Sequence, residues 1–192
     1  MKKFLYVLID TSGSMVEMGK AHLQRNLCRF ISQLPFIDEQ KYANFEIHFF
    51  QWNTSIRKLF VQDNGDIPTL NPQSTSDLSS LKEFLCSISN HSQPPCVLLL
   101  SDGNFSSTNI TEFKHGVGSI PNLILRIVAI GPDADMLKLK KLSTYENVYL
   151  AENISAAVNS IFIGIDEKIA APKFVNQIKM ILPPDAQDDW ND

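Results

Sequence analysis

The stretch FLYVLIDTSGSM, residues 4–15, decides how the rest of the chain is read. Phe4 to Ile9 is an unbroken apolar run, the pattern of a strand buried on both faces. It runs straight into Asp10, Ser12 and Ser14, a carboxylate and two hydroxyls at alternate positions. Core packing has no use for that cluster. It is either turn chemistry, capping a helix that starts near Glu17, or a site. Gly13 relaxes the backbone between the serines, so one tight loop can aim three oxygens at one point.

Downstream, Leu23, Leu27, Phe30, Ile31 and Leu34 recur at helical spacing, which predicts a helix from Glu17 to Leu34 closed by Pro35. Phe45 to Trp52 reads as a second strand and Ile56 to Val61 as a third. The short Asn53-Thr54 connection makes that third strand antiparallel to the second. Residues 62–74 read as loop, and Leu78, Leu81 and Leu85 mark a helix. Pro94-Pro95 precede CVLLLSDG, residues 96–103, another fully apolar strand that ends in a carboxylate, Asp102. A short helix near Asn109 to His115, the strand LILRIVAIG, a helix from Ala134 to Leu142, the strand NVYL and a last helix from Ile154 to Ile169 complete the pattern. The alternation predicts an α/β fold. Its doubly wound, mostly parallel sheet has about six strands, one of them antiparallel toward an edge, with helices on both faces.

A chain of 192 residues, 44% hydrophobic and 20% charged, is long enough for one full core. The expected division is a domain over 1–172 and a C-terminal extension over 173–192. That extension ends in PPDAQDDWND, where Asp185, Asp188, Asp189 and Asp192 read as a disordered acidic tail. The net charge of -4 and scattered basic residues argue against nucleic acid. The run Lys138, Lys140, Lys141 reads as a solvated helix face. Cys28, Cys86 and Cys96 are odd in number and lack metal-binding spacing, so buried free thiols in a reducing compartment are expected. MKKFLYVLID is too short for a secretory leader, and no apolar stretch approaches a membrane span. A cytoplasmic protein is the expectation. His22, His48, His91 and His115 stand apart from one another and from any motif.

In an open α/β sheet, ligands bind outside the carboxyl ends of the strands. Asp10 and Asp102 both stand at such ends. The segment PQSTSDLSSL, residues 72–81, can bring Ser74, Thr75 and Ser76 to the same edge. Two carboxylates with several hydroxyls form an all-oxygen set suited to a hard divalent cation. So few carboxylates leave the ion with surplus positive charge, and it then takes an anionic oxygen from outside.

DTSGSM, residues 10–15, resembles the Asp-x-Ser-x-Ser signature of the von Willebrand factor A domain, and LLLSDG, residues 98–103, resembles its second acidic motif. The resemblance runs from Phe4 to about Ile169 and includes IVAIGPDADMLKLKKLS, residues 127–143. It implies a metal-ion-dependent adhesion site. Ser12 and Ser14 would bind the ion directly, Asp10 and Asp102 directly or through water. The family's third element is a threonine in Gly-Gly-Thr, followed after four residues by Ala-Leu. Thr75 with Ser80-Leu81 matches that spacing, while Gln73-Ser74 replace the glycines. The implied ligand set is therefore Asp10, Ser12, Ser14, Thr75 and Asp102, with Mg²⁺, Mn²⁺ or Ca²⁺ as the ion. Ser76 competes with Thr75 but is also placed to cap the following helix.

The layout with YVLIDTSGSM at the start is also similar to TerY-like proteins of bacterial tellurium-resistance and phosphorylation clusters. That likeness implies a non-catalytic module in stress-response or phosphorylation signalling. Its partner would be a protein that offers Asp or Glu to the metal, such as a kinase or phosphatase, with neither nucleic acid nor membrane involved. The alternative is a haloacid-dehalogenase-like phosphotransferase with Asp10 as nucleophile. Such enzymes carry a second aspartate two positions on as general acid, where this chain has Ser12.

Overall fold

Leu5 to Asp10 is buried throughout, as the unbroken apolar run requires of a central strand. A computed structural model of the chain describes residues 3–42, 44–62, 65–89 and 94–167. Its strands are β1 (Lys3–Asp10), β2 (Phe45–Trp52), β3 (Ile56–Leu59), β4 (Cys96–Ser101), β5 (Ile124–Ala129) and β6 (Val148–Leu150). Its helices are α1 (Lys20–Ile37), α2 (Glu39–Tyr42), α3 (Leu78–Ile88), α4 (Thr108–Gly118), α5 (Met136–Leu142) and α6 (Ile154–Glu167). The strands form one sheet in the order β3-β2-β1-β4-β5-β6. All neighbours are parallel except β2 and β3, which the tight Asn53-Thr54 connection makes antiparallel. This is the expected fold class.

Alternation along β1 sorts the core into two layers. Leu5, Val7 and Ile9 pack with Leu27, Ile31 and Leu34 of α1 and Ala157, Val158 and Ile161 of α6. Tyr6 and Leu8 pack on the other side with Leu81 and Leu85 of α3, Phe113 of α4 and Leu139 of α5. From β1 the chain passes to β2 on one side, and β4 lies on the other, with Ile9 opposite Leu100 and Asp10 opposite Trp52. The strand order therefore reverses between β1 and β4, and at such a switch point the ligand crevice of open α/β sheets lies outside the strands' carboxyl ends. Asp10 and Asp102 stand at that crevice. Among the described residues no helix is long and apolar enough to cross a membrane.

Three local expectations need correction. The first helix does not begin at Glu17. A 3₁₀ segment, Gly13–Gly19, folds over the end of β1 and buries Met15, and Met18 and Gly19 take left-handed φ values of 53° and 70°. Regular helix can start only after that break, at Lys20. Nor does Pro35 close it, since a proline in the last turn removes a single N–H and the helix runs on to Ile37. Cys86 is exposed, whereas Cys28 and Cys96 are buried. It neighbours Leu85 on α3 but lies off the buried stripe of Leu78, Leu81, Leu85 and Ile88. His91, the end of the last helix expected at Ile169, the boundary at 172 and the acidic tail lie outside the described residues.

Candidate metal centre

Asp10 is fully buried at the end of β1. Its Oδ2 accepts a hydrogen bond from Ser101 Oγ at 2.6 Å, and its Oδ1 accepts from the Ser12 backbone N–H at 3.0 Å. Ser76 Oγ donates across both oxygens, at 3.0 and 3.2 Å. Burial raises the Asp10 pKa; the hydrogen bonds from Ser101 and Ser12 pull against that, and the neighbouring Asp102 charge adds to it. These donors to the carboxylate are neutral hydroxyls and an amide.

Ser12 and Ser14 hydroxyls lie 3.3 Å apart, so the alternate spacing does bring them together. The loop before α3 is stitched onto them. Gly13 N–H donates to the Ser74 carbonyl at 2.8 Å, and Gln73 N–H donates to the Thr11 carbonyl at 2.8 Å. Ser74, where the resemblance implies a glycine, stands at a left-handed φ of 66°. Upstream in this loop, Asp66 accepts from Arg29, which holds its carboxyl below the usual range and ties the segment to α1.

The two contenders for third hydroxyl are placed differently. Ser76 reaches Asp10, and Thr75 is exposed. The cap of α3 is Asp77, whose carboxylate accepts from Ser79 and Ser80 N–H at 2.9 and 3.2 Å. Ser76 is therefore not the helix cap, contrary to the sequence expectation, because α3 begins one residue later than that role requires.

Asp102 is 2% exposed. Its Oδ1 accepts from Asn104 N–H at 3.0 Å and its Oδ2 from Lys20 Nζ at 2.9 Å. Lys20 is a residue that sequence reasoning missed, as it missed Ser101. It is buried, and its ammonium also donates to Asp133 Oδ2 at 2.6 Å and to the Ser14 carbonyl at 3.4 Å. Burial works against the charged ammonium, but the Asp133 and Asp102 bonds outweigh it and raise its pKa. A signal existed: a lysine at the first position of a helix opposes the helix dipole and needs a local reason.

One turn on, Gln24 Nε2 donates to the carbonyls of Asp10 and Leu100, both at 3.1 Å, and so clamps the ends of β1 and β4 at the switch point. Its Oε1 is buried with no hydrogen-bond partner among the described residues.

These residues fit a hard divalent cation. Asp10 is a buried carboxylate held by neutral donors beside a second carboxylate, and the surrounding oxygens are hydroxyls. Among the described residues no group of three or more His, Cys, Asp or Glu side chains could hold a metal.

No protein-family model matches the chain, and no curated protein matches it. Solved structures do. An aerotolerance-related membrane protein from Bacteroides fragilis superposes with a TM-score of 0.62 at 10% identity, over 83% of this chain and 98% of that one. Proximal thread matrix protein 1 from the mussel byssus, with a zinc-occupied MIDAS motif, gives 0.59 at 13% identity, over 87% of this chain and 46% of that one. VWA2, the ArnB paralog from Sulfolobus acidocaldarius, gives 0.57 at 17% identity, over 82% and 44%. This chain thus spans under half the length of the last two. With its switch point between β1 and β4 and its Asp-x-Ser-x-Ser loop at that point, the chain has the von Willebrand factor A fold.

Proposed function

We propose that this chain is a non-catalytic interaction module that holds a divalent ion at the crevice and uses it to bind an acidic residue of a partner protein. Asp10, Ser12, Ser14 and Asp102 would hold the ion, with a hydroxyl from Ser76 or Thr75. The bound ion supplies a Lewis-acidic position for a Glu or Asp oxygen. Mg²⁺ is the ion proposed, with Mn²⁺ or Ca²⁺ as alternatives. The observation that carries this reading is the buried Asp10 carboxylate, surrounded by hydroxyls and beside Asp102. Two exposed apolar residues on the adjoining 3₁₀ segment, Val16 (63%) and Met18 (68%), offer a partner contact beside the ion.

The resemblance to TerY-like proteins supports a setting in cytoplasmic stress-response or phosphorylation signalling, with a kinase or phosphatase as partner. Against the enzyme alternative stands Ser12, which occupies the place of the second aspartate that such phosphotransferases use as general acid.

Affinity capture from the source cells tests the reading. A partner should be retained in Mg²⁺ and lost both in EDTA and with Asp10→Ala. Retention in EDTA would overturn metal dependence. Asp10-dependent hydrolysis of an aryl phosphate would favour the enzyme.

A further inference from the structure

We infer that Lys20 is a built-in counter-ion of the metal site, whose ammonium competes with the divalent ion for Asp102 and so sets the ion affinity. The inference rests on the metal reading above and adds a residue to it.

The geometry is specific. Lys20 is 1% exposed, and its Nζ lies 2.9 Å from Asp102 Oδ2 and 2.6 Å from Asp133 Oδ2. It also faces the Ser14 carbonyl at 3.4 Å, within the loop that carries both serine hydroxyls. The backbone is shaped around this side chain. Gly131 has a φ of +91°, and a Cβ there would lie 2.7 Å from Lys20 Cε and 2.8 Å from Asp133 Oδ1. The segment after β5 thus comes close to Lys20 at a residue without a side chain.

The charges give the direction. Asp102 and Asp133 both face the Lys20 ammonium, which places one positive charge between them. A buried ammonium hydrogen-bonded to a carboxylate lowers the negative potential that a dication would meet there, and in a low-dielectric interior that reduction is large. Asp133 shares the ammonium with Asp102 and so moderates its hold. Removing the ammonium should strengthen ion binding. Removing Asp133 should leave the ammonium concentrated on Asp102 and weaken ion binding. A residue needed only for packing, or to hold Asp102 in place, would weaken binding in both variants.

Calorimetric titration with Mn²⁺ tests this on wild type, Lys20→Met and Asp133→Asn, with circular dichroism confirming the fold of each. Lys20→Met should bind at least about tenfold more tightly than wild type, and Asp133→Asn several-fold more weakly. Lys20→Met should also melt lower in EDTA, because Asp102 and Asp133 then face each other without a cation, and the deficit should shrink in excess Mn²⁺. Should Lys20→Met misfold in EDTA, refolding it in Mn²⁺ and back-titrating with chelator gives the same affinity. Equal or weaker binding by Lys20→Met, with wild type still binding, overturns this inference and leaves the metal reading standing. No binding by any of the three overturns both.

Discussion

At the scale of a single residue, the demand on the fold is greatest at Asp10. Its pKa is raised by burial, so without an ion its charge costs folding energy. The sign follows from linkage. A carboxyl with a raised folded-state pKa favours the fold below the ordinary carboxylate range, and that contribution is lost as pH rises through the raised value. In EDTA, Asp10→Asn should therefore raise the melting temperature at pH 7, and the gain should vanish below about pH 4, where an ordinary aspartate is itself neutral. Thermal scans across pH check this, and a gain that persists unchanged in acid would contradict it. Ser76→Ala should lower Mn²⁺ affinity more than Thr75→Ala, because only Ser76 is seen to reach Asp10. Asp10, Ser12, Ser14 and Asp102 were legible in the sequence because each follows an apolar run or sits in a fixed local spacing. Ser101 and Lys20 were not, and Ser76 was read only as a competitor of Thr75. Ser101 reads as the last residue of a strand, and Lys20 meets Asp102 and Asp133 across separations of 82 and 113 residues, which no local pattern encodes.

Among the elements, the loop before α3 does the most to complete the site, and it does so at a cost. Ser74 sits at φ 66°, in the left-handed region where a Cβ is penalised. Ser74→Gly should stabilise the protein by about 0.5–1 kcal/mol, relief of that strain exceeding the added chain entropy of glycine. Urea unfolding in EDTA measures it, and a loss of stability would contradict the reading. Asp77→Ala should cost about 1 kcal/mol through the lost cap of α3, and the same titration reads it. Element type was readable because the buried strands are continuous apolar runs and the helices carry clear apolar stripes. The errors fell at boundaries. The start of α1 is governed by the left-handed turn at Met18 and Gly19, and Pro35 was tolerated because it falls in the last turn.

For the molecule as a whole, strand order places two carboxylates from distant parts of the chain at one crevice, and the fold then holds them against their mutual repulsion. Gln24 supports that arrangement from beneath by bridging the ends of β1 and β4. An ion that binds only the folded protein should stabilise all of it. At an ion concentration of 100 times Kd the gain is about 2.7 kcal/mol, which corresponds to roughly 5–10 °C in melting temperature for a domain of this size. Asp10→Ala should abolish that ion-dependent rise. The most direct measurement is calorimetric titration of Mn²⁺ or Mg²⁺ into wild type and Asp10→Ala at neutral pH. Wild type should bind a single ion saturably and Asp10→Ala none; equal binding by the two proteins, or no binding by wild type, would contradict a metal site built on Asp10.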